Sequence, residues 1–332
     1  MTSKPRIALT LGDPAGVGPE LAAKLLAETT TVEQAEVTII GSAEEFARAL
    51  EHAGVEVPLS TVVGDGRPVL RDPQRPGPLP AEMARTSAEA GTWALDALRF
   101  ALGLATAGEV DGICFTPLNK TSLHLAGMIE EDELRWFART LGYQGRTSEF
   151  NVLDGLWTGR VTSHIALADV PGRITANAVA ETVALLDHAL RGSGVDSPRI
   201  AVAALNPHAG ENGNFGRQEI DEIGPGVEQA RQRGITVDGP FPSDTIFLKA
   251  KSGLYDGVVT MYHDQGQIAM KLIGFDRGVT VQGGLPVPIT TPAHGTAFDI
   301  VGTRSADLGA TRNAFTLGVK LARQHRGRIK SA

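Results

Sequence analysis

The sequence predicts an α/β fold built around an open sheet of parallel strands. Short β-branched runs alternate with longer segments of helical periodicity through most of the 332 residues. Strands that alternate with helices in this way usually lie parallel, because each helix forms a right-handed crossover. The predicted strands are RIALTL, AEVTIIG, GICFTP, GRVTSHIAL, RIAVAALN and GVVTMYH. The predicted helices are SAEEFARALEHAG, AEMARTSAEAGTWALDALRFALGLATAG, TANAVAETVALLDHALRGSG and EIGPGVEQARQRG.

The composition is that of a globular protein with a full core. Hydrophobic residues make up 42% and charged residues 21% of the chain. The net charge of -7, without a basic run, argues against nucleic acid as a partner. Cys114 is the single cysteine and lies in an apolar run, which predicts an inert buried thiol and a reducing compartment. With no apolar run of membrane-span length and no signal-peptide pattern, we expect a soluble, cytoplasmic protein.

A glycine-rich turn, TLGDPAGVGPE, runs from Thr10 to Glu20 between a predicted strand and a predicted helix. This is the usual setting of a phosphate cradle. However, no Walker lysine follows the glycines, and their spacing is not that of a dinucleotide fingerprint. Two interpretations stay open: a wall of a ligand site, or a tight turn that is needed for packing.

Three of the eight histidines share one context, the carboxyl end of a predicted strand: His164, His208 and His263. Ligands of open parallel sheets bind beyond that edge, so these side chains can converge there. Three imidazoles with one open position form a common catalytic metal site. Asp264, beside His263, is a candidate to orient an imidazole or to transfer a proton. The alternative for each histidine alone is a hydrogen-bonded loop residue.

The segment HGTAFDIVGTRSAD, from His294 to Asp307, resembles the adenine-side cofactor loop of isocitrate and isopropylmalate dehydrogenases. Together with LTLGDPAGVGPE, LNPHAGENG and MYHDQG, it makes nearly the whole chain resemble the 4-hydroxythreonine-4-phosphate dehydrogenase family of pyridoxine biosynthesis. The resemblance implies an isocitrate-dehydrogenase-like fold of two α/β/α domains with a cleft between them. We expect residues 1–140 and 286–332 in one domain and residues 141–285 in the other, which carries the histidines and a dimer interface.

The same resemblance assigns cofactors and partners. It implies a homodimer with a shared active site and one divalent metal ion, for which zinc is expected, held by His164, His208 and, across the dimer, His263. It implies NAD as the cofactor, with NADP as the alternative. The residues expected to hold it are His294, Gly295, Thr296, Ala297 and Asp299.

Catalytic and substrate-binding residues are also carried over by position. Lys120 and Asp244 match cleft positions of the family and join Asp264 as candidate catalytic groups, although Asp244 also suits a helix N-cap. Thr147 and Ser148 take the places of a substrate-binding His-Thr pair.

The positions that bind phosphate in the family are only partly retained. Lys271 matches the family's lysine, and Arg146 is an additional cation near the substrate motif. Thr280 stands where the family has an asparagine, and Ile289 where it has an arginine. Loss of a bidentate arginine removes a strong contact to phosphate.

We therefore expect a metal-dependent, NAD-linked dehydrogenase of a hydroxy acid of the 4-hydroxythreonine-4-phosphate type. Decarboxylation is expected where the product is a β-keto acid, and the substrate is expected to lack the phosphate or to carry it elsewhere. The alternatives are a phosphate acyltransferase on the same fold and a non-catalytic metabolite-binding relative.

Overall fold

The computed structural model describes residues 4–74 and 79–331. Helices and strands alternate along the chain, so the prediction of the α/β class is confirmed. Two compact units are present: unit 1 is Met1–Tyr143 with Leu285–Ala332, and unit 2 is Gln144–Gly284. Among the described helices, none has the length and apolar character that crossing a membrane requires.

Unit 1 contains a wholly parallel sheet in the strand order β3-β2-β1-β4-β11. The strands are β1 (Arg6–Thr10), β2 (Glu36–Ile40), β3 (Val69–Arg71), β4 (Gly112–Phe115) and β11 (Ile289–Pro292). β1, β2 and β4 are almost continuously apolar and buried, as expected for parallel strands covered on both faces.

The helices of unit 1 begin where the sequence supplies capping side chains. Ser42, Ser87, Asn119 and Asp132 each accept a hydrogen bond from a backbone N–H in the first turn of their helix. The helices are α1 (Gly18–Ala27), α2 (Thr29–Gln34), α3 (Ala43–Ala53), α4 (Ala88–Thr106), α5 (Lys120–Leu125), α6 (Glu133–Thr140) and α12 (Gly309–Ser331).

Unit 2 has a mixed sheet in the order β10-β5-β6-β9-β7-β8. Its strands are β5 (Ser148–Leu153), β6 (Leu156–Arg160), β7 (Ile200–Ala203), β8 (Val237–Phe241), β9 (Gly257–Thr260) and β10 (Val279–Gly283). β6, β9, β7 and β8 are parallel, whereas β5 pairs antiparallel with β6 and β10. The prediction of parallel strands alone is therefore wrong for this edge. The cause is a two-residue hairpin turn, Asp154–Gly155, in which both residues have positive φ.

The helices of unit 2 are α7 (Val170–Arg173), α8 (Ala176–Gly192), α9 (Gly224–Gln232), α10 (Ser243–Lys251) and α11 (His263–Gly274). The predicted strand GRVTSHIAL is displaced in the structure. β6 is LWTGR and ends at Arg160, so His164 lies in the loop beyond the strand. A buried cluster around Ala201, Phe247 and Val258 packs the helices against this sheet.

Close packing of α4 on α5 gives a testable prediction for unit 1. A Cβ added at Gly91 would lie 1.9 Å from the carbonyl oxygen of Ser122, whereas a Cβ at Gly103, on the same helix, would meet nothing within 4 Å. We expect Gly91→Ala to lower the free energy of unfolding by about 1–3 kcal/mol, since backbone must move. Gly103→Ala should raise it by about 0.5–1 kcal/mol. Urea denaturation of both variants tests this, and equal effects would contradict the packing described.

Candidate functional site

The three predicted strand-end histidines follow three neighbouring parallel strands of unit 2. β9 lies between β6 and β7, and all three run in the same direction. His164 lies in the loop after β6, His208 in the loop after β7, and His263 begins α11 directly after β9. The fold therefore brings the three histidine-bearing segments to one edge of one sheet.

Hydrogen bonds continue from β6 to β9 beyond the ends of both strands. The N–H of Val161 donates to the carbonyl of Thr260 at 2.9 Å, and that of Thr162 donates to Met261 at 3.1 Å. The hydroxyl of Thr162 donates to the same Met261 carbonyl at 2.7 Å. This register places the rings of His164 and His263 in contact, with centroids 5.5 Å apart and planes inclined by 42°.

Asp264 defines which nitrogen of His263 is available for a ligand. Its Oδ1 lies 2.7 Å from Nδ1 of His263. Because a carboxylate only accepts, His263 in its neutral form carries the proton on Nδ1 and offers the lone pair of Nε2. Imidazole nitrogen is a usual ligand of zinc, so the donor chemistry of this edge fits a divalent ion.

His208 lies in a turn with an unusual backbone. Five consecutive residues, His208 to Asn212, have φ between 42° and 78°, and one of them, Gly210, is glycine. Left-handed helical conformation costs a non-glycine residue roughly 1–2 kcal/mol. The His208 ring packs 6.2 Å from that of Phe215. Thus the ring contact at this edge joins His164 with His263, and His208 lies on the neighbouring loop.

Gln265 links the His263 segment to the strand that leads to His208. Its amide nitrogen donates to the carbonyl of Ala204 at 2.8 Å, just after β7. Its amide oxygen accepts from the N–H of Met261 at 2.7 Å, just after β9. One side chain therefore ties together the ends of two histidine-bearing strands. The polar side chain of Gln265, two residues after His263, was the signal in the sequence that could have indicated this link.

Two substrate candidates belong to the strands of unit 2. Ser148 is buried at the start of β5, opposite Gly283 of β10, and the half-buried Thr147 precedes it. Thr280 is 7% exposed, and its hydroxyl accepts a hydrogen bond from the Asn151 amide at 3.3 Å. The Thr280 side chain is therefore uncharged, and its hydroxyl already has a hydrogen-bond partner in unit 2.

Arg160, a buried cation that shares the partner Asn151 with Thr280, was not predicted from the sequence as a site residue. Arg160, at the end of β6, forms an ion pair with Glu149. It also donates to Asn151 Oδ1 at 3.0 Å and to the hydroxyl of Ser163 at 3.1 Å, beside His164. Because Glu149 balances its charge, we assign Arg160 a structural role: it stabilises the carboxyl end of β6 and the loop that leads to His164.

The predicted charged contacts Arg146, Lys271 and Asp244 of unit 2 lie at the surface. Arg146 donates to the Thr182 hydroxyl of α8 at 3.0 Å, and Lys271 is exposed in the last turn of α11. Asp244 is exposed in the first turn of α10. The N-cap of α10 is Pro242, so the interpretation of Asp244 as a cap is wrong.

Two predicted residues of unit 1 have different environments. Lys120 begins α5, with its side chain 49% exposed and its ammonium 3.9 Å from a carboxylate oxygen of Glu133. Ile289 is completely buried in the core of unit 1. Where the family has a phosphate-binding arginine, this chain therefore has an apolar side chain that belongs to the core.

The glycine-rich turn does not leave its N–H groups available for a phosphate. Gly12 has φ 76°, and a Cβ there would lie 2.5 Å from the carbonyl of Pro117, so the turn packs directly on backbone. Four N–H groups donate within unit 1: Asp13 to Pro117 O at 3.0 Å, Ala15 to Asp13 Oδ1 at 2.8 Å, Gly16 to Asp13 O at 3.0 Å and Val17 to Thr296 O at 3.0 Å. Burial raises the pKa of the Asp13 carboxyl, which the hydrogen bond from Ala15 opposes. The packing interpretation accounts for this turn.

The turn supports the predicted cofactor segment. Val17 and Leu21 pack against Ala297 and Ile300, and a Cβ at Gly16 would lie 2.8 Å from that of Thr296. Ala297 has φ 42° and precedes a single 3-10 turn, Phe298–Ile300, which contains the exposed Asp299. His294 is half-buried and Gly295 exposed, so the segment presents both polar side chains and open backbone.

Cys114 is a buried thiol, as predicted. Burial raises its pKa to about 12, against a hydrogen bond with Thr290. A thiol with this pKa is not a nucleophile at neutral pH.

Comparison with known proteins identifies relatives along nearly the entire chain. The family described as pyridoxal phosphate biosynthetic protein PdxA matches residues 22–318. A protein of Pseudomonas aeruginosa, provisionally named 4-hydroxythreonine-4-phosphate dehydrogenase 2, is 53% identical over 97% of this chain and 98% of its own. The D-threonate 4-phosphate dehydrogenase of Pectobacterium atrosepticum is 38% identical over 95% and 99%.

Solved structures agree with these relatives. The 4-hydroxythreonine-4-phosphate dehydrogenase of Klebsiella pneumoniae has a TM-score of 0.84 and 35% identity, covering 97% of this chain and 98% of its own. A terephthalate 1,2-cis-dihydrodiol dehydrogenase of Burkholderia xenovorans has a TM-score of 0.67 and 29% identity, covering 96% and 98%. The fold of this chain is therefore that of these dehydrogenases.

The link through Gln265 gives a prediction about stability. Gln265→Met keeps the length of the side chain but removes both of its hydrogen bonds, leaving buried backbone groups unpaired. We expect the free energy of unfolding to fall by about 1–3 kcal/mol. The matched control is Gln232→Met at the exposed end of α9, where a change within about 0.5 kcal/mol is expected. Equal losses in urea denaturation would show that Gln265 is not a structural link.

Proposed function

The chain belongs to the PdxA family, and on this premise we propose that it is a metal-dependent, NAD-linked dehydrogenase of a hydroxy acid or vicinal diol. The observation that carries the proposal is the strand order, which brings the segments of His164, His208 and His263 to one edge of the unit 2 sheet. An acyltransferase requires no such set of imidazoles. A non-catalytic relative would bind metal and cofactor without turnover, which the assay below detects.

We propose His164, His208 and His263 as the ligands of one divalent ion, with zinc as the ion. A bound divalent ion supplies Lewis acidity, which lowers the pKa of a hydroxyl and stabilises negative charge on oxygen. Asp264 accepts from Nδ1 of His263, which fixes the tautomer and ring orientation that present Nε2 to an ion. The proposal includes decarboxylation where the oxidised product is a β-keto acid.

The polar groups proposed for substrate orientation and proton transfer are Lys120, Asp244 and Asp264. All three side chains are exposed, so a substrate can reach them. Thr147, Ser148, Lys271 and Arg146 are the proposed substrate contacts of unit 2.

For the cofactor, we propose that His294, Gly295, Thr296, Ala297 and Asp299 hold the adenine side of NAD. The support comes from the local structure: the Thr296 carbonyl is fixed by Val17, and Ala297 packs on the start of α1. Preordering of this kind lowers the entropy cost of binding. The glycine-rich turn thus contributes by supporting the segment.

The substrate is proposed to lack a phosphate at the family's usual position. Ile289 lies in the core and Thr280 is neutral and bonded to Asn151, so neither position offers a cation. The terephthalate dihydrodiol dehydrogenase, which resembles this chain, is named for a substrate without phosphate. The relatives named for 4-hydroxythreonine-4-phosphate and D-threonate 4-phosphate define the competing substrates.

We further propose a homodimer. Large apolar side chains are exposed in the histidine-bearing loops of unit 2 and on α11: Ile165 41%, Leu167 68%, Phe215 51%, Ile220 46%, Ile268 60% and Leu272 83% exposed. Exposed apolar side chains of this kind favour burial against another protein surface. In the proposed dimer a second copy covers these segments and shares the ion site, and His263 exchanges its contact with His164 of its own chain for the ion of the second copy.

The substrate proposal is tested by NADH formation with the zinc-loaded protein. We expect kcat/KM for 4-hydroxythreonine to be at least as high as for its 4-phosphate, because the missing charged contact to phosphate, worth about 1.5–3 kcal/mol, would have supplied the preference for the phosphorylated compound. A preference for the phosphorylated compound would overturn the substrate proposal. His208→Ala should abolish turnover with either compound while circular dichroism stays unchanged, and His188→Ala, on α8, is the matched control.

The shared site is tested by mixing two inactive variants. Co-expressed His164→Ala and His263→Ala chains should recover about a quarter of the wild-type activity, because half of randomly formed dimers are hybrids with one intact site. Mixing His164→Ala with His208→Ala, two ligands of the same chain in this proposal, should recover none. If the first mixture also stays inactive, His263 serves its own chain.

A further inference from the structure

We infer that Glu219 is a positioning residue for His208, holding its loop in the left-handed turn that presents the imidazole. This inference rests on the proposed metal site and assigns a role to a residue outside the ligand set. Glu219 is 5% exposed and begins a π-helical turn, Glu219–Ile223, that continues into α9. π-Helical turns are rare in proteins, and those that occur are often found at functional sites.

The carboxylate of Glu219 accepts hydrogen bonds from the residues that precede the His208 loop. Its Oε1 accepts from the N–H groups of Leu205 at 2.8 Å and Asn206 at 2.7 Å. Its Oε2 accepts from the side-chain amide of Asn206 at 2.9 Å. Pro207, which donates no N–H, then leads directly to His208. The path of the chain is thus fixed two residues before the imidazole.

The same carboxylate also lies against the middle of the turn. A Cβ added at Gly210 would lie 2.7 Å from Glu219 Oε2, so backbone and carboxylate are in close contact there. Glu219 therefore touches the loop on both sides of His208. On the far side, the N–H of Phe215 closes the turn onto the Gly210 carbonyl at 3.2 Å.

Strain explains why an anchor is needed. His208, Ala209, Glu211 and Asn212 are non-glycine residues with positive φ. Each would relax to a right-handed or extended conformation if the loop were released. Loss of the Glu219 contacts should therefore move the His208 imidazole, even though Glu219 does not touch the ion.

The test is the affinity of the full-length protein for Co²⁺, followed by the visible d–d absorption that reports the ligands. We expect Glu219→Ala to weaken binding by about 10–100-fold and to change the spectrum, as loss of a ligand-supporting partner does. Glu219→Gln keeps an oxygen that accepts from both N–H groups, but its NH2 group would face the NH2 group of Asn206, and two donors cannot pair. We therefore expect a loss of Co²⁺ affinity between those of the wild type and Glu219→Ala. This second variant decides the question if Glu219→Ala does not fold.

Glu222→Ala is the matched control. Glu222 lies in the same π-helical turn, but its carboxylate accepts from the N–H of Ala176 at the start of α8, at 2.7 Å. It should lose stability without a change in the Co²⁺ spectrum and with an affinity within about twofold of the wild type. Wild-type affinity and spectrum in both Glu219 variants would overturn the inference.

His208→Ala separates this inference from the proposed function. If His208→Ala binds Co²⁺ like the wild type, His208 is no ligand and the proposed site itself is wrong. If His208→Ala loses binding while the Glu219 variants keep it, the site stands and the role of Glu219 is wrong.

Discussion

The arrangement of this site depends on the position of β9 between β6 and β7, with each of which it pairs. Because all three strands are parallel, their carboxyl ends reach the same edge, and each is followed by a segment that carries a histidine. Hydrogen bonds from Thr162 and Gln265 extend the pairing past the strands, where the ladder would otherwise end. These hydrogen bonds fix the positions of the strand ends relative to one another without the help of a ligand.

Much of this arrangement was predictable from sequence, because the period of apolar residues and the position of a polar residue at a strand end are local signals. The strands before all three histidines were located, but they are shorter than predicted: β6 ends at Arg160, β7 at Ala203 and β9 at Thr260, each ahead of its histidine. The antiparallel pairing was missed because the Asp154–Gly155 turn is a short signal inside an apparent α/β alternation. The burial of Ile289 depends on tertiary packing, which a motif comparison does not contain.

The supporting residues were the least predictable part. Glu219 and Arg160 are charged side chains that sequence alone would place at the surface, yet they are 5% and 7% exposed. Their roles follow from partners distant in sequence, such as Asn206 for Glu219 and Asn151 for Arg160. In unit 1 the glycine-rich turn shows the converse: its pattern is typical of ligand binding, but its N–H groups bond to Pro117 and within the turn, and that of Val17 bonds to Thr296.

The proposed metal site requires three imidazoles, two from this chain and one from a second copy, on one divalent ion. X-ray absorption fine structure at the zinc edge of the zinc-loaded protein tests this requirement, because scattering from the outer ring atoms distinguishes imidazole from oxygen ligands. Such a site should give about three nitrogen ligands at about 2.0–2.1 Å, with imidazole outer-shell scattering. Oxygen-only coordination, or an unchanged spectrum in His208→Ala, would contradict it.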